Sequence, residues 1–363
     1  SDVCSSDLKE TGKHLNMMKI AMKDLDLSMI GLGYDPKWTR SDQKWMPKGR
    51  YEIMRNHMPK VGKLGLDMML RTCTIQVNLD YLNEKDMIQK FQISLALQSI
   101  ATAIFANSPF IEGKQSGYLS SRAMVWTDTD PYRTGVPQIV FDDDFGYSKW
   151  LEYVLEVPMY FVYREGKYID VAGHSFLDFM NGNLEGFEGQ YPTIKDWEDH
   201  ITVPFPEVRL KQYLEMRGAD GGPWNIICAL PALWVGLLYD PQSQQEAYDL
   251  ARPFMNSKIL EEGRISAAKF ALGGNINNVS IHDIALEMFG KHQFFLGEKI
   301  KSKKLSVINK ILKDAKKNIS AEDNLDIKVK GEDRNYLLTA TKMETTNELI
   351  LVINDISSMR KLE

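Results

Sequence analysis

All fourteen prolines and all seven tryptophans of this 363-residue chain lie at or before Phe254. At the same density about six prolines would fall in the residues that follow, which hold none. The charge changes sign at the same place. Residues 1–254 carry 26 Lys+Arg against 34 Asp+Glu, a net −8, whereas residues 255–363 carry 18 against 15, a net +3. One even domain does not distribute its turn formers and large aromatics this way. The sequence therefore predicts two unrelated segments, residues 9–254 and 255–363, joined near Phe254. The first eight residues, SDVCSSDL, resemble a translated sequencing adapter and are set aside as a scar, together with Cys4.

Composition narrows the class. A formal charge of −5 argues against a nucleic-acid binder, whose domain carries a basic patch. The three cysteines form no CxxC pair and no disulfide framework, so a reducing cytoplasm is the expected setting. The longest apolar run, Ile226 to Tyr239, is interrupted by Pro231 and is too short to span a bilayer; it predicts a buried helix. No nucleic-acid or membrane partner is expected.

Local patterns predict an α+β fold. Lys9 to Leu27 reads as a helical or frayed stretch, and Pro47 opens a helix that Met58-Pro59 ends. Thr72 to Asp80 alternates strictly, with Thr72, Thr74, Gln76, Asn78 and Asp80 on one face and Cys73, Ile75, Val77 and Leu79 on the other. Asp86 is placed to cap a long apolar helix that stops before Pro109. Residues 113–135 read as a loop. Met159–Val162 and Lys167–Val171 flank a hairpin turn, and Tyr213–Arg217 is a further short strand with Glu215 and Arg217 on one face.

Three polar clusters carry the candidate chemistry. The polar face of the Thr72–Asp80 strand is either a solvated sheet surface or a row of carbonyl donors, Gln76 and Asn78, for a hard cation or a substrate. Arg122, Asp128, Asp130 and Arg133 fall within twelve residues, as local ion pairs or as an anion- and metal-positioning loop. In the third, residues 207–222, Glu215 and Arg217 share a strand face, as a cross-strand ion pair or as two groups pointing into one cleft. Carboxylates and arginines without a His/Cys set suit magnesium and phosphate better than zinc or a nucleophilic triad.

The runs MPKGRYEIMRNHMPKVG, LGLDMMLRTCTIQVNLD, ANSPFIEGK, WTDTDPYRTG, FPEVRLKQYLEMRGADGGPW and CALPALWVGLLYD resemble glutamate–cysteine ligases of the plant and proteobacterial type, from Met29 to Phe254. The resemblance implies a glutamine-synthetase-like antiparallel sheet with helices behind it. It also implies ATP-dependent joining of the γ-carboxyl of L-glutamate to L-cysteine through an acyl phosphate, the first step of glutathione synthesis. ATP and Mg²⁺ are the implied cofactors. By position, Glu215 and Gln76 are the implied metal ligands, and Arg122, Asn78 and Asp128 the implied substrate contacts. Arg217, with Arg133 and Arg209, is expected to face the phosphates as a catalytic and nucleotide-binding group. The family's N-terminal strand with clustered glutamates is missing, and the resemblance stops at Phe254, so an inactive fragment is expected. A ligase with another amine acceptor remains open.

Residues 264–363 differ. A lysine-rich helix, KKLSVINKILKDAKKNI, precedes three strand-like runs, NLDIKVK, NYLLTATKM and ELILVINDIS, and Met359–Glu363 begins a helix. The run GGNINNVSIHDIALEMFGKHQFFLGEKI, followed later by LVINDISSMRKLE with Asp355-Ile356-Ser357, resembles a PAS sensor domain. That makes a signalling protein carrying a degenerate ligase module the alternative to an enzyme, and a chimera of two genes the simplest account of the join.

Overall fold

The computed structural model describes the backbone of residues 2–290 and of three strands beyond them, with side chains described for residues 9–288. The chain forms two compact units, Ser1–Lys291 and His292–Glu363.

The first unit is built on a three-stranded antiparallel sheet in which β3 (Leu214–Asp220) lies between β1 (Thr74–Leu79) and β2 (Val208–Leu210). The alternation expected of β1 holds where it matters. Val77 and Leu79 are buried, while Thr74, Gln76 and Asn78 are exposed. Val77 and Val208 both stand opposite Met216, and Leu79 and Leu210 both stand opposite Leu214, so one face of the sheet is continuous apolar surface. Against it lies the helix Glu84–Ile104, in which every residue from Ile93 to Ala103 is buried. A helix apolar on all sides belongs inside a core. Its cap is Asn83, whose side chain accepts from the Asp86 amide at 3.1 Å; Asp86, expected to be the cap, sits three residues in and accepts from the Leu82 amide at 2.8 Å.

The pairing of β1 and β3 slips between Ile75 and Val77, so Arg217 and Gly218 together oppose Gln76. A bulge of this kind frees a carbonyl from the ladder. Here the Arg217 carbonyl accepts instead from Thr74 Oγ1 at 3.1 Å and from Arg122 Nη2 at 2.5 Å. Gly218 suits the bulge, because a β-carbon there would meet the Gln98 side chain and force it to shift.

Several boundaries differ from expectation. The helix Gly49–Val61 begins two residues after Pro47 and runs through Pro59, and the expected loop 113–135 contains the short helix Ser121–Trp126, capped by Ser120. Six residues with one cap are too brief a pattern to read by periodicity. The hairpin is Phe161–Arg164 with Lys167–Asp170, turned by Glu165 and Gly166, both at positive φ. The helix Trp224–Leu238 forms but buries only one side, and Cys228 is half-buried; Cys73, expected in a strand interior, is exposed just before β1. Among the described residues no helix is long and apolar enough to cross a membrane.

The compositional step at Phe254 falls inside the first unit. Phe254 is itself a core residue, and beyond it the helix Ser257–Phe270 packs on Glu84–Ile104 and on Ser121–Trp126. The amides of Leu119 and Ser120 both donate to the Ala268 carbonyl, at 3.0 and 2.9 Å. Amphipathic helices need neither proline nor tryptophan, so a change in composition here does not mark an end of packing.

In the second unit, Ser320–Val329, Glu332–Lys342 and Leu349–Asp355 pair in that order as an antiparallel meander, matching the three expected strands. The expected lysine-rich helix and the one at Met359–Glu363 lie outside the described residues.

Candidate active site

The polar face of the sheet gathers residues from all three strands. Glu215 on β3 stands directly between Asn78 of β1 and Arg209 of β2. Its carboxylate is only 3% exposed and serves three cations. One oxygen accepts from Lys211 Nζ at 2.7 Å. The other accepts from Arg209, through Nε at 3.0 Å and Nη2 at 2.8 Å, and from Arg217 Nη1 at 2.7 Å. Burial alone raises a carboxyl pKa, but the Lys211 hydrogen bond and the Arg209 and Arg217 charges outweigh it and hold Glu215 at about 2. It is a permanent anion, and the cluster retains two uncompensated positive charges.

Those charges face open volume. A cleft of about 460 Å³ is lined by Arg209 and Arg217, with Arg50, Trp126, Tyr160 and Phe205 among its walls. The Arg217 guanidinium lies 5.6 Å from the Trp126 ring and 5.7 Å from that of Phe205. Aromatic walls displace water and strengthen the field of the two guanidinia on an anion. Of the residues singled out from sequence, Asn78, Arg209, Glu215 and Arg217 are thus brought together.

The others are placed differently. Arg122 is buried, is not among the residues lining the cleft, and donates to the Arg217 carbonyl at 2.5 Å. Arg133 is fully buried. Its Nε meets Asp130 at 2.5 Å, its Nη1 donates to the Pro158 carbonyl at 2.9 Å, and its guanidinium stacks 3.8 Å from the Tyr160 ring. It therefore braces a cleft wall from behind. Asp128 accepts from the Lys63 amide at 3.3 Å, outside the cleft. Gln76 is exposed at the bulge. These placements have one cause: charges adjacent in sequence on a helix or turn point to different sides.

The residues present do not fit a resident magnesium ion. Both oxygens of Glu215 are taken by cations, and the described residues contain no group of three or more His, Cys, Asp or Glu able to hold a metal.

Sequence reasoning missed the aromatic walls, whose residues carry no local signature distinct from core. It also missed Arg264, which lies beyond the compositional step. Arg264 is buried and donates to Glu207 at 3.0 Å and to the Trp126 carbonyl at 3.3 Å, while holding Glu261. The Glu207 carbonyl in turn accepts from the Arg217 amide at 3.2 Å. The helix Ser257–Phe270 is thereby tied to two residues of the cleft.

A family model, Glutamate-cysteine ligase family 2 (GCS2), matches residues 5–293. The match runs past Phe254, where the resemblance was expected to stop, and begins inside the stretch set aside as a scar. Among curated relatives, the chloroplastic glutamate–cysteine ligase of Nicotiana tabacum is 61% identical over 241 residues, 66% of this chain and 46% of the relative. Glutamate–cysteine ligase B of Oryza sativa subsp. japonica is 60% identical over 249 residues, 69% and 50% of the two chains. The chloroplastic enzyme of Arabidopsis thaliana is 59% identical over 241 residues, 66% and 46%. The chain spans about half the length of these relatives. All three are chloroplastic proteins, which overturns the expectation of a cytoplasmic setting: scarce cysteines speak to redox conditions, not to a compartment. With the family model matched over most of its length, the chain belongs to glutamate–cysteine ligase family 2.

Proposed function

We propose that the 460 Å³ cleft takes part in ATP-dependent ligation of the L-glutamate γ-carboxyl to the amine of L-cysteine. One observation carries the reading: two guanidinia, Arg209 and Arg217, are held side by side by Glu215 on a cleft floor with a surplus of positive charge. A carboxylate is a poor acyl donor because its leaving group is an oxide. Transfer of the ATP γ-phosphoryl group to a γ-carboxylate oxygen releases ADP. Attack of the cysteine nitrogen on the acyl carbon then breaks the C–O bond and releases phosphate and a proton. Negative charge gathers on phosphoryl oxygens in the first step and on the acyl oxygen in the second, and preorganised guanidinia lower both barriers.

In this reading Arg209 and Arg217 hold the oxyanions, Asn78 offers its amide to glutamate beside them, and Glu215 spaces the arginines. Arg122 fixes the backbone that carries Arg217, and Arg133 fixes Tyr160. The divalent ion that accompanies ATP arrives with the nucleotide. Calorimetric titration with L-glutamate and with a non-hydrolysable ATP analogue tests the reading. Saturable binding of both is expected, with the analogue weakened at least tenfold by Arg217→Gln. Absence of binding by the folded wild-type chain overturns it.

For residues 292–363 we propose a small sensor module of the PAS kind, supported by the three-stranded meander that ends at Asp355. Absorbance titration of the full chain with haem and with flavin tests this, and no spectral change with either removes it.

A further inference from the structure

A second cavity of the first unit does not belong to the cleft. It holds about 680 Å³, and its walls include Tyr34, Arg40, Trp45, Asp67, Arg71 and Glu112. None of its lining residues lines the cleft, yet two short helices serve both. Gly65–Arg71 gives Asp67 and Arg71 to the cavity and Met68 and Met69 to the cleft; Ser121–Trp126 gives Val125 to the cavity and Trp126 to the cleft.

Arg71 is the unusual group. It is 5% exposed, and its Nη1 donates to Asp67 and to Glu112, each at 3.2 Å. Its Nε and Nη2 are buried with no hydrogen-bond partner. Those two N–H groups lie on one edge of the guanidinium and point in parallel, the fork that matches two oxygens of a carboxylate or phosphate. The Tyr34 ring lies 4.8 Å from the guanidinium and fixes its plane. Asp67 cannot satisfy the fork, because it also holds Arg40 and accepts from the Tyr34 hydroxyl at 3.3 Å. Counting Arg55, stacked 4.6 Å over Trp45, the cavity carries three arginines against two carboxylates.

Glu112 is the movable member. Its side chain is 49% exposed, and it sits with Gly113 at positive φ in the turn of the hairpin formed by Phe110–Ile111 and Lys114–Gln115. We propose that this cavity is a second small-molecule site, in which the oxyanion of a compact carboxylate or phosphate ligand takes the unpartnered Nε and Nη2 of Arg71, opposed by the like charge of Glu112 on the neighbouring Nη1 until that side chain swings away. The ligand's apolar part would lie against Leu66 and Leu70. Because the two helices are shared, occupancy bears directly on Met68, Met69 and Trp126 in the cleft.

The test uses the full chain carrying Arg217→Gln, which disables the cleft, titrated calorimetrically with inorganic phosphate and with succinate. Adding Glu112→Gln, at an exposed position where folding is not at risk, should tighten binding of the accepted probe at least threefold. Adding Arg71→Lys should weaken it at least tenfold at unchanged circular dichroism. The better probe distinguishes a phosphate from a carboxylate ligand. No binding of either probe, or no tightening by Glu112→Gln, overturns the proposal.

Discussion

Two buried charge clusters touch the strand β3 and are left with opposite imbalances. Around Glu215 one carboxylate serves Lys211, Arg209 and Arg217 beside open volume. Around Arg264 one guanidinium holds two carboxylates, Glu207 and Glu261, with its remaining contact on a backbone carbonyl. Both are desolvated, and both draw on arginine's ability to make several hydrogen bonds at once. The difference is what remains unsatisfied. Surplus cations facing a cavity invite an anion. A cation enclosed by its counter-charges has nothing left to offer and works as a strut. Burial and ion pairing alone do not separate a site from a brace; the sign of the surplus and the adjoining volume do.

The sharpest way to break this comparison is to remove the strut. Arg264→Ala should destabilise the first unit by about 3–5 kcal/mol in urea unfolding, since the largely buried Glu207 loses its cation and the buried space that Arg264 fills is emptied, while Glu261, partly exposed, keeps the Val136 amide. A loss under about 1 kcal/mol would put Arg264 in the same class as the site arginines.

Acid should act on the other cluster. Glu215, held at about 2, lies below its unfolded value near 4.3, so its stabilisation is complete above that value and is lost as pH falls toward 2. The size is at most about 3 kcal/mol, and Glu215→Gln should flatten that limb of the pH–stability curve. His200 separates cleanly from it. Burial pushes its imidazole down to about 4, against the Val154 carbonyl at 2.9 Å and the Phe176 ring at 4.3 Å. Its stabilisation is complete above about pH 6.5 and is lost between there and pH 4, a window that Glu215→Gln leaves unchanged.

Arg217→Gln should cost about 1 kcal/mol of stability or less, because it relieves a cluster already over-supplied with cations. Thermal unfolding alongside Arg264→Ala measures the contrast directly, and equal losses would abolish the distinction. The smallest effect is expected at the exposed Cys73, where Cys73→Ser should stay within about 0.5 kcal/mol in the same measurement.

Much of the sheet was legible in the chain. Alternation over Thr74–Leu79, with two buried aliphatics every second residue, admits only a half-buried strand, and a run such as Ile93–Ala103 with no charge belongs in a core. The pairing of Glu215 with Arg217 also followed from their spacing, since residues two apart on a strand share a face. The loop cluster was less legible. Arg122 and Arg133 read as cleft residues by their position in the matching runs, and local charge alone left them equally open to Asp–Arg pairing. They donate to a bulge carbonyl and to Asp130, partners that no local pattern identifies.

The sequence by itself determined the α+β character, the two-faced strand, the apolar helix behind it, and the family to which the chain belongs. Each is written in short-range periodicity or in long runs of matching residues. Only the tertiary structure decided which arginines face open volume, that Arg264 braces the cleft from beyond the compositional step, and that Arg71 keeps an unpaired fork. Those outcomes depend on which distant groups reach a side chain first, and electrostatic partners are chosen in space, as across the 138 residues between Trp126 and Arg264.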